Sequence, residues 1–189
     1  MLLKSRDIYL RFLRKTDAAS LHAAIKENRS EFEKYVFGST HLHSLRVDQM
    51  IERAKLQRGK RQEYFFGIFA AEDKQLVGYV NLYGISQGIR SGEVGFSVRA
   101  SQTGKGIATT ATALIVLFGF KELKLHKIVL RTVHNNFAAW RIAEKIGFVQ
   151  DGIQCSRLRW ENLRCYSMLE TEFRQLKPKI TRLAAGKKD

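Results

Sequence analysis

Three segments in the middle of the chain are rich in aromatic and β-branched residues: EYFFGIFAA (63–71), QLVGYVNLYGIS (75–86) and GEVGFSVRA (92–100). Only short polar breaks part them, EDKQ and SQGIRSG. Apolar runs of strand length joined by tight turns pair with their immediate neighbours, so the pattern predicts a three-stranded antiparallel meander. Everything else in the chain has to pack around that sheet.

The flanks supply the packing. Residues 8–12 alternate as a short strand, after which Thr16 or Asp17 can cap a helix to about residue 28, with Leu21, Ala24 and Ile25 on its apolar side. Val47, Met50, Ile51 and Ala54 stand at helical spacing over residues 47–57. A helix apolar nearly all round is expected from Gly104 to about Lys121, then a buried strand in HKIVLRTV. A further helix in NFAAWRIAEKI stops at Gly147, a C-cap glycine. FVQDGI and RCYSMLETEF are expected as closing strands. Strands first antiparallel, then linked by helices, give an α/β (α+β) fold around a mixed central sheet. At 189 residues, with one proline and no linker-like stretch or repeat, the chain fits one domain. Its expected extent is residues 1–176, with 177–189 (KPKITRLAAGKKD) a basic, flexible tail.

Charges recur every few residues in MLLKSRDIYLRFLRKTD, unlike a signal peptide, and no apolar run approaches the roughly 18 residues of a membrane span. Cys155 and Cys165 are therefore expected as reduced thiols and the location as cytoplasmic. The net charge of +15 favours polyanionic partners, such as nucleic acid, ribosome or acidic peptide, and disfavours polycations. The five histidines show no metal-ligand spacing, so no metal is expected.

SQTGKGIATTA (101–111) joins the third strand to the long helix, where amide donors and the helix dipole favour a phosphate. A plain glycine turn is the competing reading. Two known cradles fail on spacing. A P-loop needs Lys and Ser/Thr after its last glycine, where Ile107 stands, and a dinucleotide fingerprint needs a third small residue at Thr109.

A third cradle fits. Residues 92–120 followed by VHNNFAAWRIAEKIGFVQDG (133–152) resemble the GNAT acetyltransferase superfamily, more closely its ribosomal-protein N-terminal (Rim-type) branch. The family's [QR]-x-x-G-x-[GA] loop corresponds to residues 101–106, with Ser101 at the first place. Its N-x-x-[SA]-x(4)-[EY]-K-x-G-F run corresponds to Asn136, Ala139, Glu144, Lys145, Gly147 and Phe148. The opening strand and RCYSMLE extend the likeness over roughly residues 6–173.

The resemblance implies a mostly antiparallel sheet with two splayed strands, and direct transfer of acetyl from acetyl-CoA to an amine in a ternary complex, with neither cysteine as nucleophile. Phe96 and Val98 would pair with the pantetheine arm, the Val98 amide serving as oxyanion donor. Gln102, Thr103, Gly104, Lys105, Gly106, Ile107 and Ala108 would hold the pyrophosphate. Asn136 and Ala139 would meet the pantetheine, and Lys145 the adenosine phosphate or only water. Glu93 is the candidate base, its alternative being a substrate anchor or strand-edge contact.

Relatives often carry a hydroxyl where this chain has Ala139 and Ala143, and Asp at Asn162. Ser97, Tyr166 or water is left to protonate the thiolate. His134 as a base, and Trp160 with Arg157, Arg159 and Arg164 as a nucleic-acid contact, each compete with a plain structural or solvated reading.

The expected acceptor is a protein N-terminus of ribosomal-protein type. The alternatives are a small amine (aminoglycoside, amino acid or toxin), or an idle acyl-CoA-binding module docked on RNA or the ribosome. Monomer and homodimer stay open. The acceptor region is expected mainly in residues 31–62.

Overall fold

The computed structural model describes residues 1–28, 46–155 and 162–187. The elements in chain order are β1 Leu2–Lys4, β2 Ile8–Phe12, α1 Ala18–Glu27, α2 Val47–Gly59, β3 Tyr64–Ala70, β4 Leu76–Ser86 and β5 Ser91–Val98. They continue with α3 Ile107–Lys121, β6 Lys127–Val133, α4 Phe137–Ile146, β7 Val149–Gln154, β8 Leu163–Leu169 and α5 Glu170–Ala184. The strands form one eight-stranded sheet in the order β1-β2-β3-β4-β5-β6-β8-β7. Every adjacent pair is antiparallel except β5 and β6. The expected meander is β3-β4-β5.

β5 and β6 pair only at Ser91↔Lys127, Gly92↔Ile128 and Glu93↔Val129. Beyond Glu93 both strands continue, each held on its far side by β4 or β8, and the sheet opens between them. This is the splay that the resemblance implies.

The two faces of the sheet bury different sets. Phe66, Ile68, Val80, Leu82 and Val94 pack with α3 and α5 in the main core. Phe65, Phe69 and Tyr79, one residue out of phase, pack under α1 and α2. The period-2 alternation of strands accounts for the division. Helix α3 is apolar all round because it is enclosed: Ala111, Ala113, Ile115 and Val116 have no exposure. Ile115 and Val116 each contribute roughly 1.5–3 kcal/mol of transfer free energy, and each alanine methyl about 0.8 kcal/mol.

Three expectations change. Helix α3 begins at Ile107, not Gly104, because residues 100–102 form a short 3-10 turn and Gly106 is the N-cap, with φ 79°. The last strand ends at Leu169. The expected tail is then mostly helix α5, whose Phe173, Ile180, Leu183 and Ala184 are buried in the main core. Those residues recur at helical spacing, a signal that Pro178 and the dense lysines obscure.

Asp17 acts less as a helix cap than as a brace. Its carboxylate accepts from both terminal nitrogens of Arg11 (2.7 and 2.8 Å) and from the Arg14 amide (2.7 Å). The Arg11 hydrogen bond holds the Asp17 carboxyl below its ordinary range. The sign follows: this stability is complete above the unfolded carboxyl's pKa of about 4 and is lost as pH falls below it. Asp17→Asn is expected to cost about 2 kcal/mol in urea unfolding at pH 7. The gap between variant and wild type should narrow as the pH falls below about 4.

Candidate active site

The splay opens into a cleft of about 1400 Å³. That exceeds the roughly 300–1,000 Å³ of an ordinary small-molecule site, so the cleft has room for two reactants. One arm runs along β5 to the glycine loop and α4. The other runs from β4 towards α2, where Arg53, Gln57, Gln62 and Glu63 line it.

The arm beside the glycine loop is built from backbone. Arg99 N–H bonds the Val77 carbonyl on β4 (2.8 Å). By strand alternation the amide of Val98, and both backbone groups of Phe96, then face the gap. The Val98 carbonyl is taken by the Asn28 side chain at 2.7 Å. Past a bend, Gly104 (φ 76°) and Gly106 (φ 79°) adopt the left-handed conformation, with open space where a Cβ would stand. The amides of Ile107, Ala108 and Thr109 precede the first bond of α3, Thr110 N–H to the Gly106 carbonyl, so they remain to meet an anion. Across the gap, Asn136 caps α4 by accepting from the Ala139 amide at 3.1 Å. Its amide group is left to donate.

A polar floor lies between the arms. Cross-strand pairs Tyr79↔Ser97, Asn81↔Gly95 and Tyr83↔Glu93 put these six residues on one face of β4 and β5. Glu93 is a hub. Tyr83 O–H donates to its Oε1 at 2.6 Å, and Arg131 Nε donates to Oε2 at 2.9 Å, with the Arg131 Nη2 contact also on Oε2. The Glu93 hydrogen bond holds the Arg131 guanidinium above its ordinary range. Burial, reinforced by the Glu93 charge, pushes the Tyr83 hydroxyl up, so it stays protonated at any working pH.

Of the residues singled out from the sequence, Glu93, Phe96, Ser97, Val98, Gln102, Thr103, Gly104, Gly106, Ile107, Ala108, Asn136 and Ala139 all line this cleft. Three do not. Tyr166 is fully buried, and its hydroxyl lies 3.3 Å from Glu144 Oε1. A proton donor has to reach the cleft, so the candidacy of Tyr166 is corrected. Lys145 is exposed on α4 outside the lining, and Lys105 is turned to Gln102 Oε1 at 2.9 Å. Arg157, Arg159, Trp160 and residues 31–45 of the expected acceptor region lie outside the described residues.

Asn28, Tyr83, Asn81, Arg131 and Glu63 join the site without any local pattern in the sequence to mark them. Asn28 is 5% exposed at the end of α1. Besides the Val98 carbonyl, it donates to Ser97 Oγ (3.0 Å) and accepts from the Ala100 amide (2.8 Å). Glu27 adds a bond from the Ser101 amide at 2.8 Å. Two helix-end residues thus fix the strand end and the entry to the glycine loop. These are contacts 69 to 74 residues apart in sequence, which no local pattern reveals.

Comparison with known proteins agrees with this geometry. The family model of the acetyltransferase (GNAT) domain matches residues 7–149. The chain is a GNAT acetyltransferase. It is 32% identical over 185 residues to "Probable N-acetyltransferase YjcK" of Bacillus subtilis, covering 92% of this chain and 100% of that protein. Identity to "Putative ribosomal N-acetyltransferase YdaF" of the same organism is 28%, over 77% of this chain and 79% of that one. A spermidine N(1)-acetyltransferase of Vibrio cholerae is 36% identical over 86 residues, 44% of this chain and 50% of that one. The fold matches a ribosomal L7/L12 α-N-protein acetyltransferase, RimL, in complex with coenzyme A. There the TM-score is 0.80 at 13% identity, covering 89% of this chain and 98% of that one.

The GNAT enzyme is thus an acetyl-CoA-dependent N-acetyltransferase, and the open glycine cradle, the unbonded α3 amides and the two-armed cleft fit that cosubstrate. Among the described residues no helix is long and apolar enough to cross a membrane.

Proposed function

We propose that this GNAT enzyme acetylates the N-terminal α-amine of a protein, of the ribosomal-protein type, by direct transfer. The observation that carries the reading is the charge of the cleft. Its described lining holds two carboxylates, Glu63 and Glu93, against three guanidiniums, Arg53, Arg131 and Arg141. A polyamine acceptor needs an anionic pocket, and this lining, on a chain of net charge +15, repels polycations. A peptide bringing one ammonium and otherwise neutral or acidic groups is accommodated. The similarity to YdaF supports the same reading.

Acetyl-CoA supplies an activated acyl carbon whose oxygen gains negative charge as the amine attacks. For the chain's own residues we propose the following roles. The N–H groups of Ile107, Ala108 and Thr109, reached over Gly104 and Gly106, hold the pyrophosphate. Phe96 and Asn136 hold the pantetheine arm, and the Val98 amide donates to the acyl oxygen. Glu93 takes the amine proton through a remaining lone pair of Oε1, directly or through one water. Ser97 or a water protonates the sulfur. The cytoplasm is the proposed location, and the basic surface the proposed means of meeting the ribosome.

The test is acetyl-CoA-dependent thiol release with ribosomal-protein N-terminal peptides, small amines and spermidine. Turnover is expected on peptides. Turnover confined to small amines or to spermidine would contradict the reading. Tight acetyl-CoA binding without turnover on any of them would point to the idle binding module.

A further inference from the structure

The two carboxylates of the cleft differ in a way that assigns them different work. The charge of Glu93 is offset by Arg131. Glu63, half-buried immediately before β3, forms no ion pair with any described residue, and its Oε1 accepts a hydrogen bond from Asn81 Nδ2 at 3.1 Å. Phe65 pairs with Asn81 and Asn81 with Gly95, so Glu63, Asn81 and Gly95 share the face that carries Glu93.

Asn81 is itself only 5% exposed. A Cβ on Gly95 would stand 2.8 Å from its Oδ1 and 3.2 Å from the Tyr83 ring, so Asn81 occupies the room that this glycine leaves. A buried amide fixed over the splayed strand thus orients a carboxylate with no cation of its own among the described residues. It does so in the arm of the cleft away from the glycine loop. With no ion pair to a described residue, the Glu63 carboxylate is available to an incoming cation in this arm of the cleft.

We propose that Glu63, oriented by Asn81, is the subsite that holds the positive charge of the acceptor, binding the amine as its ammonium. Glu93 takes one proton to free the lone pair. The second N–H proton, lost as the C–N bond forms and the C–S bond breaks, passes through Ser97 or water to the departing sulfur. Glu63 is then the residue that selects an amine over a neutral nucleophile, and Asn81 is its positioning residue. The inference deepens the proposed N-acetyl transfer to a protein N-terminus, yet it concerns any ammonium-bearing acceptor.

The experiment compares wild type, Glu63→Gln and Glu63→Asp on a ribosomal-protein N-terminal peptide and on ethanolamine. Each amine is also titrated calorimetrically into the CoA-bound protein, so binding is read whether or not transfer follows. Glu63→Gln should weaken amine binding and raise the acceptor KM by about 10- to 100-fold, the worth of one charge-assisted hydrogen bond. The kcat at saturation and the acetyl-CoA Kd should stay within about threefold, a shift of under about 0.7 kcal/mol. Glu63→Asp should recover part of the loss.

Equal amine affinity in wild type and Glu63→Gln overturns the inference. So does a parallel loss of acetyl-CoA affinity, which would mark Glu63 as structural, or a wild type that binds neither amine. If only ethanolamine binds and reacts, the protein-N-terminus reading fails while the Glu63 effect is still read on that amine.

Discussion

Glu93→Gln should lower kcat by about 10²- to 10⁴-fold, the range for loss of a positioned general base. The glutamine keeps the shape of the side chain and can still accept from Tyr83, so the floor of the cleft stays in place. Arg131 loses its counter-charge, but its side chain is 44% exposed and water solvates it in place of the carboxylate. A thermal melt should therefore show little change.

The proposed base role and a purely positioning role separate in the neighbouring variants. If Glu93 served only to hold Tyr83 and Arg131, then Tyr83→Phe and Arg131→Gln would reproduce the loss; a base role predicts that both keep most of kcat.

The largest effect on stability is expected at Gly78. A Cβ there would lie 2.3 Å from the Ser97 carbonyl oxygen and 2.9 Å from Val98 Cα, both backbone atoms that cannot rotate aside. The strands β4 and β5 would have to separate where Gly78 pairs with Val98. Gly78→Ala should cost about 3 kcal/mol, the upper end for overpacking a tight site. That is a fall in Tm of about 6–12 °C for a chain of this size. Acetyl-CoA affinity should fall with it, since the displaced segment carries the Val98 amide. Gly59→Ala is the control: nothing lies within 4 Å of a Cβ at that position.

The elements were legible where one local signal prevailed. Alternation and turn composition gave β3 to β5, and apolar spacing gave α1 and α2. A glycine with φ 108° closes α4 at Gly147 as expected. The glycine-loop arm was legible because it is made of backbone opened by glycine, and glycine spacing survives in a linear string.

The polar floor and the arm beside Glu63 were not, because they are assembled across the sheet. Tyr83 and Asn81 look like ordinary strand residues until their register against Glu93 and Gly95 is known. Arg131 reaches Glu93 only because β6 lies parallel beside β5. Tyr166 misled for the same reason, since its alternation phase turns it inward to full burial. Helix α5 was hidden by Pro178 and by charge counting, although Phe173, Leu176, Ile180 and Leu183 carry the helical period.

The central claim is that the gap between β5 and β6, entered over the left-handed glycines, holds acetyl-CoA. Calorimetric titration of acetyl-CoA into wild type and Gly104→Val tests it most directly, because a side chain at residue 104 would occupy the open space over the α3 amides. The account predicts binding to wild type and affinity at least about tenfold weaker in the variant, a difference of about 1.4 kcal/mol. The stability cost of a left-handed non-glycine residue should stay near 1–2 kcal/mol. Equal affinity in the two proteins, with both folded, would contradict it.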